Sequence, residues 1–374
     1  MSDPAPPLPI VRTLGVLGLG EGRSILSAAQ TSSRWRIAAM CDLDEDLCRR
    51  RATEFGLDRW TTRYDEMLAD PSIDAIAIYT PDQMHLDHCI AALHAGKHVV
   101  CTKPLLDSLD GAGRLVEAAA HSTGTLFVGQ SSRFFEPMIR QRRDLDAGRH
   151  GEVTAVDCHY ITDARWFLER EWSSSDRFSW LWNFLIHAVD LVRWYLPGVD
   201  EVVGFATTSG NAVAAGSDRA DSMRFVLRTA TGQIATVAGD YALPTIDQRL
   251  EPSIGCLVRG TQGSSRADYP SLSYHTRFAD DVARTHDLSG YEDYYFRFGG
   301  RSHHAGEYQN YIDYFADCLD AGTPATPGIE EAIGTLALLE AMERSMSSGG
   351  RPVRASDVLA ERGLPTSMVP TSMS

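Results

Sequence analysis

The chain has 374 residues, 43% of them hydrophobic and 23% charged, a composition typical of a globular protein with one large core or two smaller ones. Its 35 basic and 50 acidic side chains give a net charge of -15, which disfavours nucleic-acid binding. The chain has no apolar run long enough to span a membrane and no secretory pattern at its N-terminus, and its seven cysteines are scattered. We therefore expect a cytoplasmic protein that binds neither a membrane nor nucleic acid.

From residue 11 onward, short apolar runs alternate with helical stretches, a pattern typical of strand-helix-strand units and a parallel sheet. The predicted strands are 13–17, 36–41, 75–79, 98–101 and 126–129. The predicted helices are 23–30, 44–55, 64–69, 85–95 and 110–121. We predict a doubly wound α/β domain over residues 11–132, preceded by a disordered tail at 1–10.

Beyond residue 133 the pattern changes to longer strands rich in Val, Thr and Ile. They are predicted at 152–162, 201–208, 222–229, 233–241 and 254–259. Few helices separate the later strands, which favours an open, mostly antiparallel sheet. With an apolar helix at 182–195 and a helical region at 307–348, these strands predict an α+β domain over residues 133–352, followed by a C-terminal tail at 353–374.

A glycine-rich turn follows the first strand and opens the first helix. Gly18 allows a tight turn there, and Gly20 lets the backbone approach a diphosphate whose charge the helix N-terminus balances. The third glycine of the usual pattern is displaced, because Gly22 is present while Arg23 takes the last position. The predicted cofactor-binding turn consists of Gly18, Leu19, Gly20, Glu21, Gly22 and Arg23. A glycine turn without a ligand is the alternative interpretation.

Asp42 ends the second predicted strand, at the distance from the glycines that dinucleotide-binding domains show. Its carboxylate can accept hydrogen bonds from the ribose hydroxyls of an adenosine, and its charge would repel a 2'-phosphate. The sequence therefore favours NAD over NADP as the cofactor. A structural role as a helix cap is compatible with this binding role.

Three further segments carry a family resemblance. They are the turn Ala77-Ile-Tyr-Thr-Pro-Asp-Gln-Met-His85, the run Ala95-Gly-Lys-His-Val-Val-Cys-Thr-Lys103-Pro104, and the later helix that bears His187. Over about residues 11–352 the chain resembles the Gfo/Idh/MocA oxidoreductases, which include glucose-fructose oxidoreductase and inositol dehydrogenase. The resemblance implies an N-terminal Rossmann domain and a C-terminal domain whose sheet builds the oligomer interface of a homodimer or homotetramer. It also implies that Thr80, Pro81 and His85 lie near the cofactor.

The same resemblance implies the catalytic residues. Lys103 is the catalytic lysine, near the nicotinamide, and a cis peptide before Pro104 is expected. His187 takes the proton of the reacting hydroxyl and Asn183 holds that hydroxyl. Two departures from the family remove a carboxylate each, because its Glu-Lys-Pro motif is Thr102-Lys103-Pro104 here and Asn183 stands where the family has aspartate. On a helix, Asn183, His187 and Asp190 would share one polar face.

Aromatic and cationic side chains concentrate in the segment before this helix. Arg165, Trp166 and Trp172 suit the C–H faces and hydroxyls of a sugar ring, although packing in the core is the alternative interpretation. A loop at 299–307 resembles a family loop and adds His304 as a candidate substrate contact. The histidines at 85, 88, 94 and 98 have no cysteine or carboxylate frame around them, so no metal site is predicted.

Together these features predict an NAD-dependent dehydrogenase that oxidises a secondary hydroxyl of a sugar, cyclitol or glycoside, or runs the reverse reaction. Two alternatives from other classes stay open. The missing carboxylates favour a non-catalytic NAD-binding sugar sensor or regulator. An NAD-assisted glycosidase, which oxidises its substrate transiently and regenerates its cofactor, is the other.

Overall fold

The computed structural model describes residues 10–170, 178–244, 254–295 and 305–370. They belong to two compact units. The first combines the residues up to 105 with 114–129 and 294–329, and the second combines 106–113 and 130–293 with the residues from 330 onward. Within the described ranges, no helix has both the length and the apolar character needed to cross a membrane.

The first unit is built on a six-stranded parallel sheet. Its strands in chain order are β1 (Arg12–Leu17), β2 (Trp35–Cys41), β3 (Trp60–Thr61), β4 (Ala75–Ile78), β5 (His98–Thr102) and β6 (Leu126–Gly129). The helices between them are α1 (Gly22–Thr31), α2 (Glu45–Phe55), α3 (Tyr64–Ala69), α4 (His85–His94) and α5 (Ala112–Ala120). The strand order β3-β2-β1-β4-β5-β6 confirms the predicted doubly wound sheet. The order reverses between β1 and β4, which is where such sheets bind their ligands.

Local sequence accounts for these elements. Every residue of β4 is fully buried, as expected for a central strand covered by helices on both faces. Helix α2 begins where Asp44 accepts a hydrogen bond from the backbone N–H of Leu47 at 3.0 Å. It ends at Gly56, whose φ of 62° only glycine adopts without strain. Asp44 and Gly56 therefore mark the two ends of α2 in the sequence itself.

The second unit contains a nine-stranded sheet. The remaining elements of the chain are α6 (Glu136–Asp146), β7 (Val153–Ile161), α7 (Ile186–Tyr195), β8 (Val199–Thr207), α8 (Gly210–Ala214), β9 (Ser222–Thr229), β10 (Ile234–Asp240), β11 (Ile254–Gly260), β12 (Gly263–Tyr269), β13 (Ser273–Phe278), β14 (Arg284–Asp287), α9 (Glu292–Tyr295), α10 (Ala305–Ala321), α11 (Ile329–Ser347), β15 (Val353–Arg354) and α12 (Ala355–Glu361). The strand order is β14-β13-β12-β11-β7-β10-β9-β8-β15. Only β7 and β10 pair in parallel among these described strands, so the prediction of a mostly antiparallel sheet is confirmed.

Helices cover one face of this second sheet. Gln141 of α6 reaches the sheet and donates hydrogen bonds to the carbonyl oxygens of Cys256 at 3.1 Å and Ser265 at 2.9 Å. On the opposite face, β9 carries the exposed side chains Arg224, Val226 and Arg228 at alternate positions. The sheet therefore has a packed face and an open face.

Helix α10 belongs to the first unit, whereas the sequence pattern assigns it to the second domain. The indole N–H of Trp35 in β2 donates to the Ile312 carbonyl at 2.7 Å. Phe127 of β6 stacks on Phe315 with ring centroids 5.4 Å apart. Because these contacts join residues far apart in the chain, the local pattern around 305–321 carries no sign of them.

Residues 353–370, which the sequence analysis assigns to a tail, instead form β15, α12 and a short turn. Val353 pairs with Val202 of β8, and Ala355, Val358 and Leu359 are fully buried. The sequence pattern likewise does not predict α6 or the strands β12 to β14. Their sequences are rich in charged and hydroxyl side chains, so they lack the apolar periodicity that predicts an element.

Candidate active site

The glycine turn between β1 and α1 has the geometry that a dinucleotide requires. Gly18 has a φ of 86°, and a Cβ atom there would lie 2.6 Å from the carbonyl carbon of Tyr79. A Cβ atom on Gly20 would meet nothing within 4 Å, so this stretch of backbone is open to a ligand. Gly22 would bring a Cβ atom within 3.2 Å of Val16 in β1. Gly22 thus provides the close packing of helix on strand that the usual pattern obtains from its third glycine.

The other three residues of the turn have different surroundings. Leu19 is fully buried and Glu21 is exposed. Arg23 donates from Nε to Glu54 at 2.6 Å, so its guanidinium is held in an ion pair. Helix α1 has no acidic residue in its first turn. Its N-terminus therefore presents the positive end of the helix dipole, which favours a bound diphosphate.

Asp42 is fixed by two backbone hydrogen bonds. One carboxylate oxygen accepts from Leu19 N at 2.7 Å and the other accepts from Asp44 N at 3.0 Å. Each oxygen keeps a second lone pair that can accept a ribose hydroxyl. With the open backbone at Gly20 and the uncapped start of α1, the residues present fit NAD.

We expect Gly20→Ala to weaken NAD binding by roughly tenfold or more while the free energy of unfolding stays within about 1 kcal/mol of wild type. The added methyl group has room in the protein alone but would occupy the space through which a diphosphate approaches. Calorimetric titration with NAD and thermal unfolding measure the two quantities. Gly18→Ala is the matched comparison, because its Cβ clash should lower stability as well. Unchanged NAD affinity in Gly20→Ala would contradict this placement of the cofactor.

The loops after β4 and β5 are joined by one buried histidine. His85 is fully buried, with Nε2 2.8 Å from the Thr80 carbonyl oxygen and Nδ1 2.7 Å from the Pro104 carbonyl oxygen. The Thr80 hydroxyl in turn lies 2.9 Å from Nδ1 of His88. Pro81, which follows Thr80 in the chain, is exposed. Four of the residues expected near the cofactor thus lie at one edge of the first sheet: Thr80, Pro81, His85 and Lys103.

Lys103 follows β5 directly, and the peptide bond between Lys103 and Pro104 is cis, as expected. Burial lowers the pKa of the Lys103 ammonium below its ordinary value, while the carboxylates of Asp82 and Glu21 act in the opposite direction. A lysine in such surroundings changes its charge more readily than a solvated one.

The helix that carries His187 begins with a π-helical turn. This turn covers Leu181–Leu185, and α7 continues from Ile186. π turns are rare and often mark functional positions. Asn183 lies in the turn, where its side-chain oxygen accepts from Ser179 N at 3.0 Å. Both Asn183 and His187 are buried, at 6% and 8% exposure.

His187 packs against an aromatic residue that the sequence analysis did not single out. The Tyr160 ring, near the end of β7, meets the His187 ring edge to face with centroids 5.9 Å apart. Burial raises the pKa of Tyr160 to about 12, so its hydroxyl stays protonated at neutral pH. The only sequence signal for Tyr160 is its place at the carboxyl end of a predicted strand.

Asp190 has a structural partner. Its two carboxylate oxygens accept hydrogen bonds from Arg133, from Nε at 2.7 Å and from Nη2 at 2.8 Å. Both side chains are almost completely buried, with 3% exposure for Arg133 and 1% for Asp190. Asp190 is one of the three polar residues expected on this helix face, and its ion pair with Arg133 anchors α7.

The candidate substrate residues are only partly described by the structure. Arg165 makes a two-point ion pair with Asp163, with both hydrogen bonds at 2.8 Å. Trp166 is 49% exposed, and the guanidinium of Arg170 lies 5.1 Å from its ring centroid. Trp172 and His304 lie outside the described residues. Within the described ranges, no group of three or more His, Cys, Asp and Glu side chains is arranged to hold a metal ion.

Comparison with known proteins adds family information. The oxidoreductase family with an NAD-binding Rossmann fold, GFO_IDH_MocA, matches residues 12–130. The family's C-terminal alpha/beta domain matches residues 142–354. Together these two matches span more than half of the chain.

Individual relatives match over nearly their full length. The chain is 26% identical over 341 residues to inositol 2-dehydrogenase from Rhizobium meliloti strain 1021, covering 89% of this chain and 96% of that protein. It is 25% identical over 351 residues to D-xylose 1-dehydrogenase (NADP(+)) 2 from Haloferax volcanii, covering 90% and 97%. An Agrobacterium radiobacter oxidoreductase, solved with NAD+, L-tartaric acid and magnesium, superimposes with a TM-score of 0.82 at 21% identity, covering 93% of this chain and 99% of that one.

Proposed function

Because the chain belongs to the Gfo/Idh/MocA oxidoreductase family, we propose that it is an NAD-dependent dehydrogenase acting on a secondary hydroxyl of a sugar, cyclitol or glycoside, or on the corresponding ketone. The proposal rests on the residues found together at one edge of the first sheet. There an open glycine turn, a fixed Asp42 and Lys103 follow the carboxyl ends of β1, β2 and β5. Full-length relatives named inositol 2-dehydrogenase and xylose 1-dehydrogenase support a polyol substrate.

The cofactor would be held by the glycine turn, by Asp42 and by the segment Thr80–Pro81, and when bound it supplies the acceptor for a hydride. The protein's own residues do the remaining work. The Lys103 ammonium stabilises the negative charge that develops on the reacting oxygen. His187 accepts the hydroxyl proton during oxidation and returns it during reduction. Asn183 orients the hydroxyl without ionising, so it adds no charge to the site.

The substrate contacts belong to the same proposal. Arg165, Trp166, Trp172 and His304 would bind the rest of the polyol. The 49% exposure of Trp166 supports this role, because sugar rings present C–H groups that pack on aromatic faces.

Incubation of the purified protein with NAD and a panel of cyclitols, aldoses and glycosides tests this function. We expect an increase in the reduced-nicotinamide absorbance band with at least one compound of the panel. Failure of the whole panel, in both reaction directions and with NAD binding intact, would contradict the proposal. The replacement of two family carboxylates by Thr102 and Asn183 favours a non-catalytic NAD-binding sensor as the second candidate.

We propose further that the open face of the second sheet joins copies of this chain into a homodimer or homotetramer. Phe205, Val226 and Ile234 on β8, β9 and β10 are 61%, 52% and 47% exposed and form a diagonal apolar stripe that passes between Arg224 and Arg228 of β9. Between them, Val203 lies opposite Val226 in the register of β8 and β9.

Val226→Asp is expected to lower the oligomeric mass measured by light scattering, because it places a charge in the centre of this stripe. Val282→Asp is the control, since Val282 is 68% exposed in the turn between β13 and β14, away from the stripe. An unchanged mass for Val226→Asp, or a monomeric wild type, would count against this interface.

A further inference from the structure

Three charged side chains join the start of α1 to the last turn of α2. One carboxylate oxygen of Glu54 accepts a hydrogen bond from Nε of Arg23 at 2.6 Å, and the other accepts from Nη1 of Arg51 at 2.8 Å. Glu54 thus gives each of its oxygens to a different guanidinium. The side chains of Arg23, Arg51 and Glu54 are 32%, 18% and 28% exposed, so this arginine cluster is accessible from solvent.

Leu19 connects the arginine cluster to Asp42. The backbone N–H of Leu19 donates to the Asp42 carboxylate at 2.7 Å, and the carbonyl oxygen of Leu19 accepts from Nε of Arg51 at 3.1 Å. A single residue of the glycine turn therefore separates the carboxylate from the guanidinium, and Arg23 is the last residue of the same turn. In dinucleotide-binding domains, the acid at the end of the second strand binds the adenosine ribose. The arginine cluster accordingly lies beside the position of that ribose.

The two nicotinamide dinucleotides differ at this ribose alone. NADP carries a phosphate on the 2'-hydroxyl, and a phosphate monoester has a charge of about -1.5 to -2 at neutral pH. Sites that accept this phosphate place an arginine near the ribose, because the planar guanidinium matches phosphate oxygens with two parallel hydrogen bonds. Arg23 and Arg51 are guanidinium groups of this kind, and Glu54 occupies both of them.

We propose that Glu54 is a second determinant of the preference for NAD, because it holds Arg23 and Arg51 in ion pairs that a 2'-phosphate would have to break. Asp42 repels that phosphate by its own charge, whereas Glu54 acts through the two arginines and is a positioning residue. The inference rests on the NAD-binding fold of the family and not on the proposed dehydrogenase reaction.

The shared carboxylate makes these ion pairs stronger than ordinary surface pairs. An isolated pair between exposed side chains contributes little, but a network with one partly buried member contributes more. Arg51 is the most buried of the three, and its bond to the Leu19 carbonyl fixes its direction. In Glu54→Gln both guanidinium groups would stay near the turn and lose the charge that neutralises them.

Calorimetric titration of the full-length protein with NAD and with NADP, in the absence of substrate, tests the proposal. We expect the Kd for NADP to fall by roughly tenfold in Glu54→Gln, the gain of one charge-assisted contact, while the Kd for NAD stays within roughly threefold of wild type. Asp42 still faces the phosphate in this variant, so NADP should remain the weaker ligand. Thermal unfolding should stay near wild type, because Glu54 lies on the surface of α2.

Glu340→Gln is the matched control. Glu340 of α11 also accepts hydrogen bonds from two arginines, from Arg344 at 2.6 Å and from Arg362 at 2.8 Å, but it lies in the second unit and outside the glycine turn. The same loss of one negative charge there should leave the affinities for both dinucleotides unchanged. An equal gain in NADP affinity in Glu340→Gln would show a general effect of net charge and overturn the proposal.

A double variant identifies the groups that receive the phosphate. In Glu54→Gln/Arg51→Gln the affinity for NADP should return towards wild type, because the released guanidinium is gone. An NADP affinity that is unchanged in Glu54→Gln, with NAD binding intact, would also overturn the proposal. Because every measurement is a binding constant, the result is independent of turnover. A protein that gains NADP affinity in Glu54→Gln but oxidises no polyol would contradict the proposed function and leave the role of Glu54 standing.

Discussion

Replacement of Lys103 by methionine should lower kcat by roughly a hundredfold to a thousandfold, the loss typical of removing one donor to a developing oxyanion. Methionine keeps most of the side-chain volume and removes the charge. The substitution also relieves the burial of an ammonium, so we expect the protein to remain folded. Steady-state rates of nicotinamide reduction with the preferred polyol measure the effect.

Two controls make this result specific. Lys103→Arg keeps the charge but changes its geometry, so it should retain more activity than Lys103→Met. The affinity of Lys103→Met for NAD should stay within roughly tenfold of wild type, because the diphosphate is held at the glycine turn. A methionine variant with wild-type kcat would remove Lys103 from the chemistry.

Asp190→Ala is expected to lower the free energy of unfolding by about 3–5 kcal/mol, the usual cost of leaving one buried ion without its partner. Arg133 would lose both of its hydrogen bonds to Asp190 in a site where its side chain is 3% exposed. Its bond to Glu331 at 3.2 Å would remain. Chemical denaturation with a linear extrapolation measures the change.

The Asp190 result also bears on catalysis. Asp190 lies one helical turn beyond His187, so its pair with Arg133 fixes the helix that carries the proposed base. The double variant Arg133→Met/Asp190→Leu should recover much of the lost stability, because apolar side chains can replace a buried pair. Glu45→Ala, which removes an exposed partner of Arg49, should change stability by less than about 1 kcal/mol. A similarly small loss in Asp190→Ala would show that the buried pair contributes little.

Local signals made much of the first unit predictable. The apolar runs of β1, β4 and β6 are buried on both faces. The turn after β1 is predictable because Gly18 adopts a positive φ, which glycine tolerates best. The strands β12 and β13 are not predictable in this way, because polar side chains such as Ser265, Asp268 and Thr276 take buried positions and the sequence therefore shows no apolar alternation.

Tertiary partners were less predictable. Asp190 fits a polar helix face in the sequence, but its partner Arg133 precedes it by 57 residues, and only the fold brings the two together. The π-helical turn before α7 likewise has no signal in the apolar pattern from 182 to 195.

In the proposed reaction, a carbon-bound hydrogen of the polyol would be transferred to the nicotinamide of the cofactor. The most direct measurement uses a substrate deuterated at the carbon that bears the reacting hydroxyl, followed by mass spectrometry of the nicotinamide after one turnover. We expect deuterium in the reduced cofactor, and less of it within the same time in Lys103→Met. A cofactor that stays oxidised and unlabelled with every polyol that binds would contradict the proposed dehydrogenase function and favour a sensor.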